Sequence, residues 1–138
     1  MAGRSQIPLR ARPTMIRLLL FVAVGGALGS ALRFTMQRLL NPVEQNAFPT
    51  GTLLVNILGC LLLGIGWGLS DKYHSVSEET KLFLLTGLCG GFTTLSAFSQ
   101  ESLLMIKAER FFILAIYLLI TILGGWLATW AGYKIFTA

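Results

Sequence analysis

Asn56 stands about five residues inside an uncharged apolar run, where an amide left without a partner is costly. It must bond either another helix or a species that passes by. Thr52 and Gly59 share its face at helical spacing, which sets a hydroxyl and an amide one turn apart. A second concentration of such groups is the stretch GLCGGFTTLSAFSQ, Gly87 to Gln100, where paired glycines and paired threonines interrupt a segment otherwise apolar enough to cross a membrane. Freed backbone is tolerated in lipid only where it is buried in protein or lines a polar cavity. Thr93, Thr94, Ser96, Ser99 and Ser102 add hydroxyls there, with Phe98 and then Glu101 three residues later. Tyr117 and Thr121 sit on a further face with Gly124, Gly125 and Ala128, and Arg33 follows Gly29 by one turn. The chemistry these residues offer is hydrogen bonding and charge, suited to helix packing or to an ion path. Taken singly, the glycine faces read as packing and Glu101 as a pairing or capping acid. No Ser, His and acid set or phosphate loop is apparent. His74 is a lone histidine in a charged loop, and Cys60 and Cys89 fall inside apolar spans as small packing residues.

The elements that carry these residues are membrane-spanning. The chain has 138 residues, 54% hydrophobic and only 12% charged, with a mean hydropathy of +0.72, a composition that fits poorly with a water-facing surface. Gly51 to Ser70, Leu82 to Gln100 and Phe111 to Tyr133 contain no ionisable Asp, Glu, Lys, Arg or His. Each is close to the roughly 20 residues a helix needs to span hydrocarbon. A fourth span begins near Met15. Its apolar core, Leu18 to Leu32, is short, so Arg33 sits at a boundary, snorkels, or points into a polar interior. The pattern predicts an all-α integral membrane fold of four transmembrane helices, at about 16–39, 52–70, 82–106 and 111–135, the third broken near 90–94. Asn41, Pro42, Pro49 and Gly51 punctuate the first connection.

Residues 1–14 carry Arg4, Arg10 and Arg12 with two prolines and no acid, and read as a disordered extension ahead of a four-span membrane domain at 15–138. Cytoplasmic loops collect Lys and Arg, yet here the bias nearly cancels. One side holds Arg17, Lys72, Lys81 and Lys134 beyond that extension; the other holds Arg33, Arg38, Lys107 and Arg110. Such a chain can insert in both directions, which allows two oppositely oriented copies to pair; a single weakly specified orientation is the alternative.

Three motifs in order, GGALGSALRF at 25–34, GTLLVNILG at 51–59 and GLCGGFTTLSAFSQE at 87–101, resemble the Fluc (CrcB-type) fluoride channel family. The resemblance covers the chain from Met15 onward. It implies a fluoride-selective channel giving passive export across the bacterial plasma (inner) membrane, built as an antiparallel, dual-topology homodimer with two pores along the subunit interface. It is neither an enzyme nor a nucleic-acid binder. It also implies a structural, untransported Na+ held by the backbone carbonyls of Gly90 and Thr93. Asn56 would donate to fluoride, Phe98 would offer a ring edge, and Tyr117 and Thr121 would lie on a polar track. Thr94, Leu95 and Ser99 match positions along the pore, with Arg33 near its vestibule and Glu101 near its end.

This chain departs from the family pattern at Leu95, where a phenylalanine is usual, and at Gly125, where a serine is common. Leu95 has no polarised ring edge, and Gly125 removes one donor from the track. A small multidrug exporter shares the four-span plan but needs a carboxylate in its first span, which this chain lacks. A non-transporting assembly protein would explain the glycines alone, and leaves the break and Asn56 without a reason.

Overall fold

The computed structural model describes residues 13–41, 47–73 and 75–137, and every regular element among them is helical. Helix α1 covers Met15–Leu40, α2 covers Thr50–Lys72, and the third span runs Glu78–Lys107. That span is assembled from α3 (Glu78–Lys81), a π-helical stretch (Leu82–Cys89), α4 (Gly90–Phe92) and α5 (Leu95–Lys107); α6 (Phe111–Thr137) completes the chain. All four spans are long and apolar enough to cross a membrane, and each reaches beyond its expected bounds by no more than about a turn. The expected extension at 1–14 lies outside the described residues apart from Pro13 and Thr14, as do Pro42 and His74.

The packing is inverted relative to a water-soluble bundle. Leu19, Leu28, Trp67, Trp126 and Trp130 are exposed, while much of the buried set is small: Gly25, Gly29, Gly51, Thr52, Val55, Gly59, Gly64 and Gly132. In hydrocarbon, large apolar side chains gain nothing by burial against one another, so helices associate through small residues that let backbones touch. Two seams show this. Helix α1 lies along the π stretch and α4, and α2 lies along α6. A methyl group at Gly29 would overlap the Leu88 carbonyl and lie 2.8 Å from the Phe92 nitrogen; one at Gly132 would overlap the Leu61 carbonyl.

The position of the break follows from contacts across the bundle more than from local glycine content. Gly87, Gly90 and Gly91 all remain helical, and the backbone turns extended only at Thr93 (φ −74°, ψ 155°) and Thr94 (φ −146°, ψ 118°). Gly87 and Gly91 serve close approach: a methyl at either would meet the backbone of Gly25 or Gly26. The π winding of Leu82–Cys89 was not legible in the periodicity. Helix α5 restarts from Thr94, whose hydroxyl accepts from the Ala97 N–H at 3.2 Å as an N-cap. It ends at Lys107, and Glu109 beyond it takes a left-handed conformation (φ 55°) in the connection to α6.

Candidate ion pathway at the broken third helix

An unbroken helix would bring the N–H groups of Thr94, Leu95 and Ala97 to the carbonyls of Gly90, Gly91 and Thr93. At the break these donors are diverted or lost. The Thr94 N–H donates to Asn56 Oδ1 at 2.8 Å, and the Thr94 carbonyl accepts from Asn56 Nδ2 at 3.1 Å. Asn56 is thus a splint between α2 and the break. It uses one of its two amide N–H bonds and keeps the other. The Ala97 N–H is taken by the Thr94 hydroxyl, and the Cys89 carbonyl by both the N–H and the hydroxyl of Thr93 at 3.0 Å each. The Gly91 carbonyl accepts from Arg33 Nε at 3.2 Å and from the Ser30 hydroxyl at 3.4 Å. All three carbonyls lose the donors that a continuous helix supplies; Gly91 gains these two instead, and among the described residues Gly90 and Thr93 gain none.

Beside the break an open cavity of about 360 Å³ brings together Asn56, Gly90, Thr93, Thr94, Leu95, Phe98 and Thr121. Its walls are mainly apolar, from Gly59, Leu63, Leu85 and Ile122 among others. The Thr121 hydroxyl is buried and has no hydrogen-bond partner among the described residues. With the spare Asn56 N–H, the residues lining this cavity hold two unspent donors. Leu95 lies 74% exposed at the rim. The Phe98 ring packs against Tyr117 at 5.1 Å between centroids, and Phe48 meets the same Tyr117 edge-on at 5.5 Å.

Glu101 and Tyr117 lie behind this cavity, in a second polar cluster. Glu101 Oε2 accepts from the Tyr117 hydroxyl and Oε1 from the Thr52 hydroxyl, each at 2.6 Å, within the range of charge-assisted O–H···O bonds. Gln37 Nε2 donates to Thr52 Oγ1 at 2.9 Å and Asn41 Nδ2 at 3.4 Å. An amide nitrogen only donates, so the Thr52 proton is directed to Glu101. Asn41 also closes the start of α2, its Oδ1 accepting the Gly51 and Thr52 N–H groups at 2.8 and 3.3 Å. A small cavity of about 40 Å³ lies on the far side of Glu101, toward Pro49 and Arg110.

The expected site residues therefore divide. Asn56, Gly90, Thr93, Thr94, Leu95, Phe98 and Thr121 meet at one cavity. Tyr117 and Glu101 form the adjoining cluster, and Arg33 reaches the break from the α1 side, the third of the placements its sequence position left open. Ser99 is exposed on α5 and lines neither cavity. The sequence reading passed over Ser30 and Gln37, and treated Asn41 as loop punctuation and Thr52 only as a neighbour of Asn56. A signal was present: Ser30, Arg33, Gln37 and Asn41 recur at three- and four-residue steps and make a polar stripe on α1. Gly125 has a local reason, since a methyl there would lie 3.3 Å from Cys60 Sγ. Among the described residues no cluster of His, Cys, Asp or Glu could hold a metal ion.

Known proteins share this arrangement of sequence. The family model described as CrcB-like protein, Camphor Resistance (CrcB), matches residues 20–133. The chain is 40% identical over 117 residues to the fluoride-specific ion channel FluC of Flavobacterium psychrophilum, covering 85% of this chain and 94% of that protein. It is 41% identical over 119 residues to the protein of the same name from Azobacteroides pseudotrichonymphae, covering 86% and 95%. The corresponding protein of Escherichia fergusonii is 36% identical over 124 residues, covering 90% and 97%. The match takes in all four spans, the splinted break and the polar cluster behind it, and on that basis the chain belongs to the CrcB family of bacterial multi-pass membrane proteins.

Proposed function

We infer that this chain is a channel that lets fluoride leave the cell passively, the activity that its relatives' names state of them. The observation that carries the reading is that one cavity at the break is lined both by Asn56, which keeps a spare N–H, and by Thr121, whose buried hydroxyl has no partner among the described residues. Fluoride is small and strongly hydrated, so a pore must replace its water with close donors yet let it go. Neutral N–H and O–H groups do this. A buried carboxylate or a fixed ammonium in the path would repel the anion or hold it. The positive edge of the Phe98 ring adds a weak, non-covalent contact of the same sign.

The working unit in this reading is an antiparallel homodimer with a pore on each side of the subunit interface. Support comes from the side of the break turned away from α1. Gly90 is exposed, and a methyl on it would meet nothing within 4 Å, so its own subunit gives no steric reason for glycine there. Leu95 is exposed beside it, and the balance of Lys and Arg between the two sides permits both insertions. A structural Na+ also fits the donor set: the carbonyls of Gly90 and Thr93, relieved of helical donors, are hard oxygen ligands of the kind such ions take. When bound, the ion would supply positive charge that lowers the cost of an anion in low dielectric.

Expression in bacteria made fluoride-sensitive by loss of their own exporter tests the reading in cells. Growth in fluoride should be restored by this chain and not by Asn56→Asp; no rescue by the well-expressed chain would count against export. Cysteine crosslinking in membranes tests the dimer. Linkage only between copies of the same orientation would contradict the antiparallel arrangement.

A further inference from the structure

We propose that Arg33 is a positioning residue for the break, its Nε–H and the neighbouring Ser30 hydroxyl holding the Gly91 carbonyl against α1. Two independent features lead there. The first is the pair of hydrogen bonds on a single carbonyl, 3.2 Å from Arg33 and 3.4 Å from Ser30, made across 58 and 61 residues of sequence. The second is the seam beneath them. At Gly29, one turn before Arg33, the α1 backbone lies on the backbone of Leu88 and Phe92, so the guanidinium is delivered to the carbonyl end of α4 with little freedom to leave.

The carbonyl end of a helix carries partial negative charge, and a cation is favoured beside it. Among the described residues Arg33 makes no ion pair, so this carbonyl end is what offsets its charge within the span. Without Arg33, the Gly91 carbonyl would have lost its helical donor with only Ser30 in its place, and the two-residue gap at Thr93 and Thr94 would be anchored chiefly by Asn56. With it, the break is held from both sides: Asn56 on α2 takes Thr94, and Arg33 on α1 takes Gly91. A consequence, which rests on the cation reading above, is that Arg33 sets which carbonyls stay open, turning Gly91 away and leaving Gly90 and Thr93.

The test compares the full-length protein in nanodiscs with Arg33→Lys, Arg33→Gln and Ser30→Ala. Two quantities are measured: amide hydrogen exchange over Thr93 to Leu95, and the Na+ concentration giving half of the thermal stabilisation relative to N-methylglucamine. Arg33→Gln should speed exchange at the break by about tenfold and raise the Na+ midpoint by a similar factor; Arg33→Lys, which keeps a charged donor, should stay within about threefold of the parent on both. Ser30→Ala, the milder change should Arg33→Gln fail to fold, should shift exchange in the same direction by a smaller factor. Unchanged exchange and an unchanged midpoint in Arg33→Gln, with reduced fluoride flux, would overturn the proposal and make Arg33 a cation of the anion entry. If Na+ leaves the parent unaffected while Arg33→Gln still speeds exchange, the cation reading falls and the positioning role stands.

Discussion

Asn56 and Thr94 exchange two hydrogen bonds, side-chain amide to backbone, at 2.8 and 3.1 Å, so one residue of α2 does for the third span what the next turn of helix would have done. Neither backbone group of Thr94 is therefore left unpaired, a loss that would be severe in a membrane. The exchange also fixes the plane of the Asn56 amide and aims its remaining N–H. The two functions can be separated by substitution.

Asn56→Asp keeps an acceptor for the Thr94 N–H and loses the donor to its carbonyl, while adding a negative charge at the cavity. Fluoride efflux should fall by at least about a hundredfold by repulsion alone. Asn56→Ala leaves both Thr94 groups without a partner and should destabilise the fold by about 1–3 kcal/mol per group. Thermal unfolding in detergent beside liposome flux reads both, and unchanged flux in Asn56→Asp would remove Asn56 from the path.

Thr121→Val replaces by a methyl of similar shape a buried hydroxyl that bonds nothing among the described residues. Stability should hold or rise, by up to about 1 kcal/mol, since the desolvated hydroxyl is lost. Flux should nevertheless drop. A stability gain with unaltered flux would show that the hydroxyl does not serve the ion.

Leu95→Phe introduces a ring at the cavity, at a position that is exposed. Efflux should be preserved or raised as an aromatic edge joins that of Phe98. A large loss would mean that the pore is shaped around leucine.

Gly29→Ala would force a methyl into the Leu88 carbonyl and the Phe92 nitrogen, neither of which can swing aside as a side-chain tip can. Separation of α1 from the break should follow, with a cost of about 1–3 kcal/mol and loss of folded protein by size-exclusion chromatography. Gly90→Ala is the control: among the described residues the added methyl meets nothing within 4 Å, so the fold of the single chain should be unchanged.

The four spans were legible because length and hydropathy are local properties, and a helix in lipid needs little else. The exact break was not. The expected break near 90–94 contains the observed one, but its paired glycines stay helical, Gly91 against α1, and the backbone opens only at Thr93 and Thr94, where Asn56 compensates from 38 residues away. Asn56 stands out in the sequence by type and position, and Phe98 and Thr121 enter as candidates through the family resemblance; the directions of their bonds follow from neither. The Glu101 cluster shows the same limit. Its acid was visible, but Gln37 and Asn41, which direct the Thr52 proton toward it, act across the α1–α2 connection. A polar stripe at helical spacing marks a face; only the fold shows what that face holds.

The central claim is selective passive conduction of fluoride. Liposomes bearing the purified chain, loaded with equal fluoride and chloride and opened to potassium by an ionophore, test it most directly when both anions are followed by ion-selective electrodes. The account predicts rapid fluoride release with chloride at the level of protein-free liposomes, and suppression of that release by Asn56→Asp. Equal release of the two anions, or of neither, would contradict it.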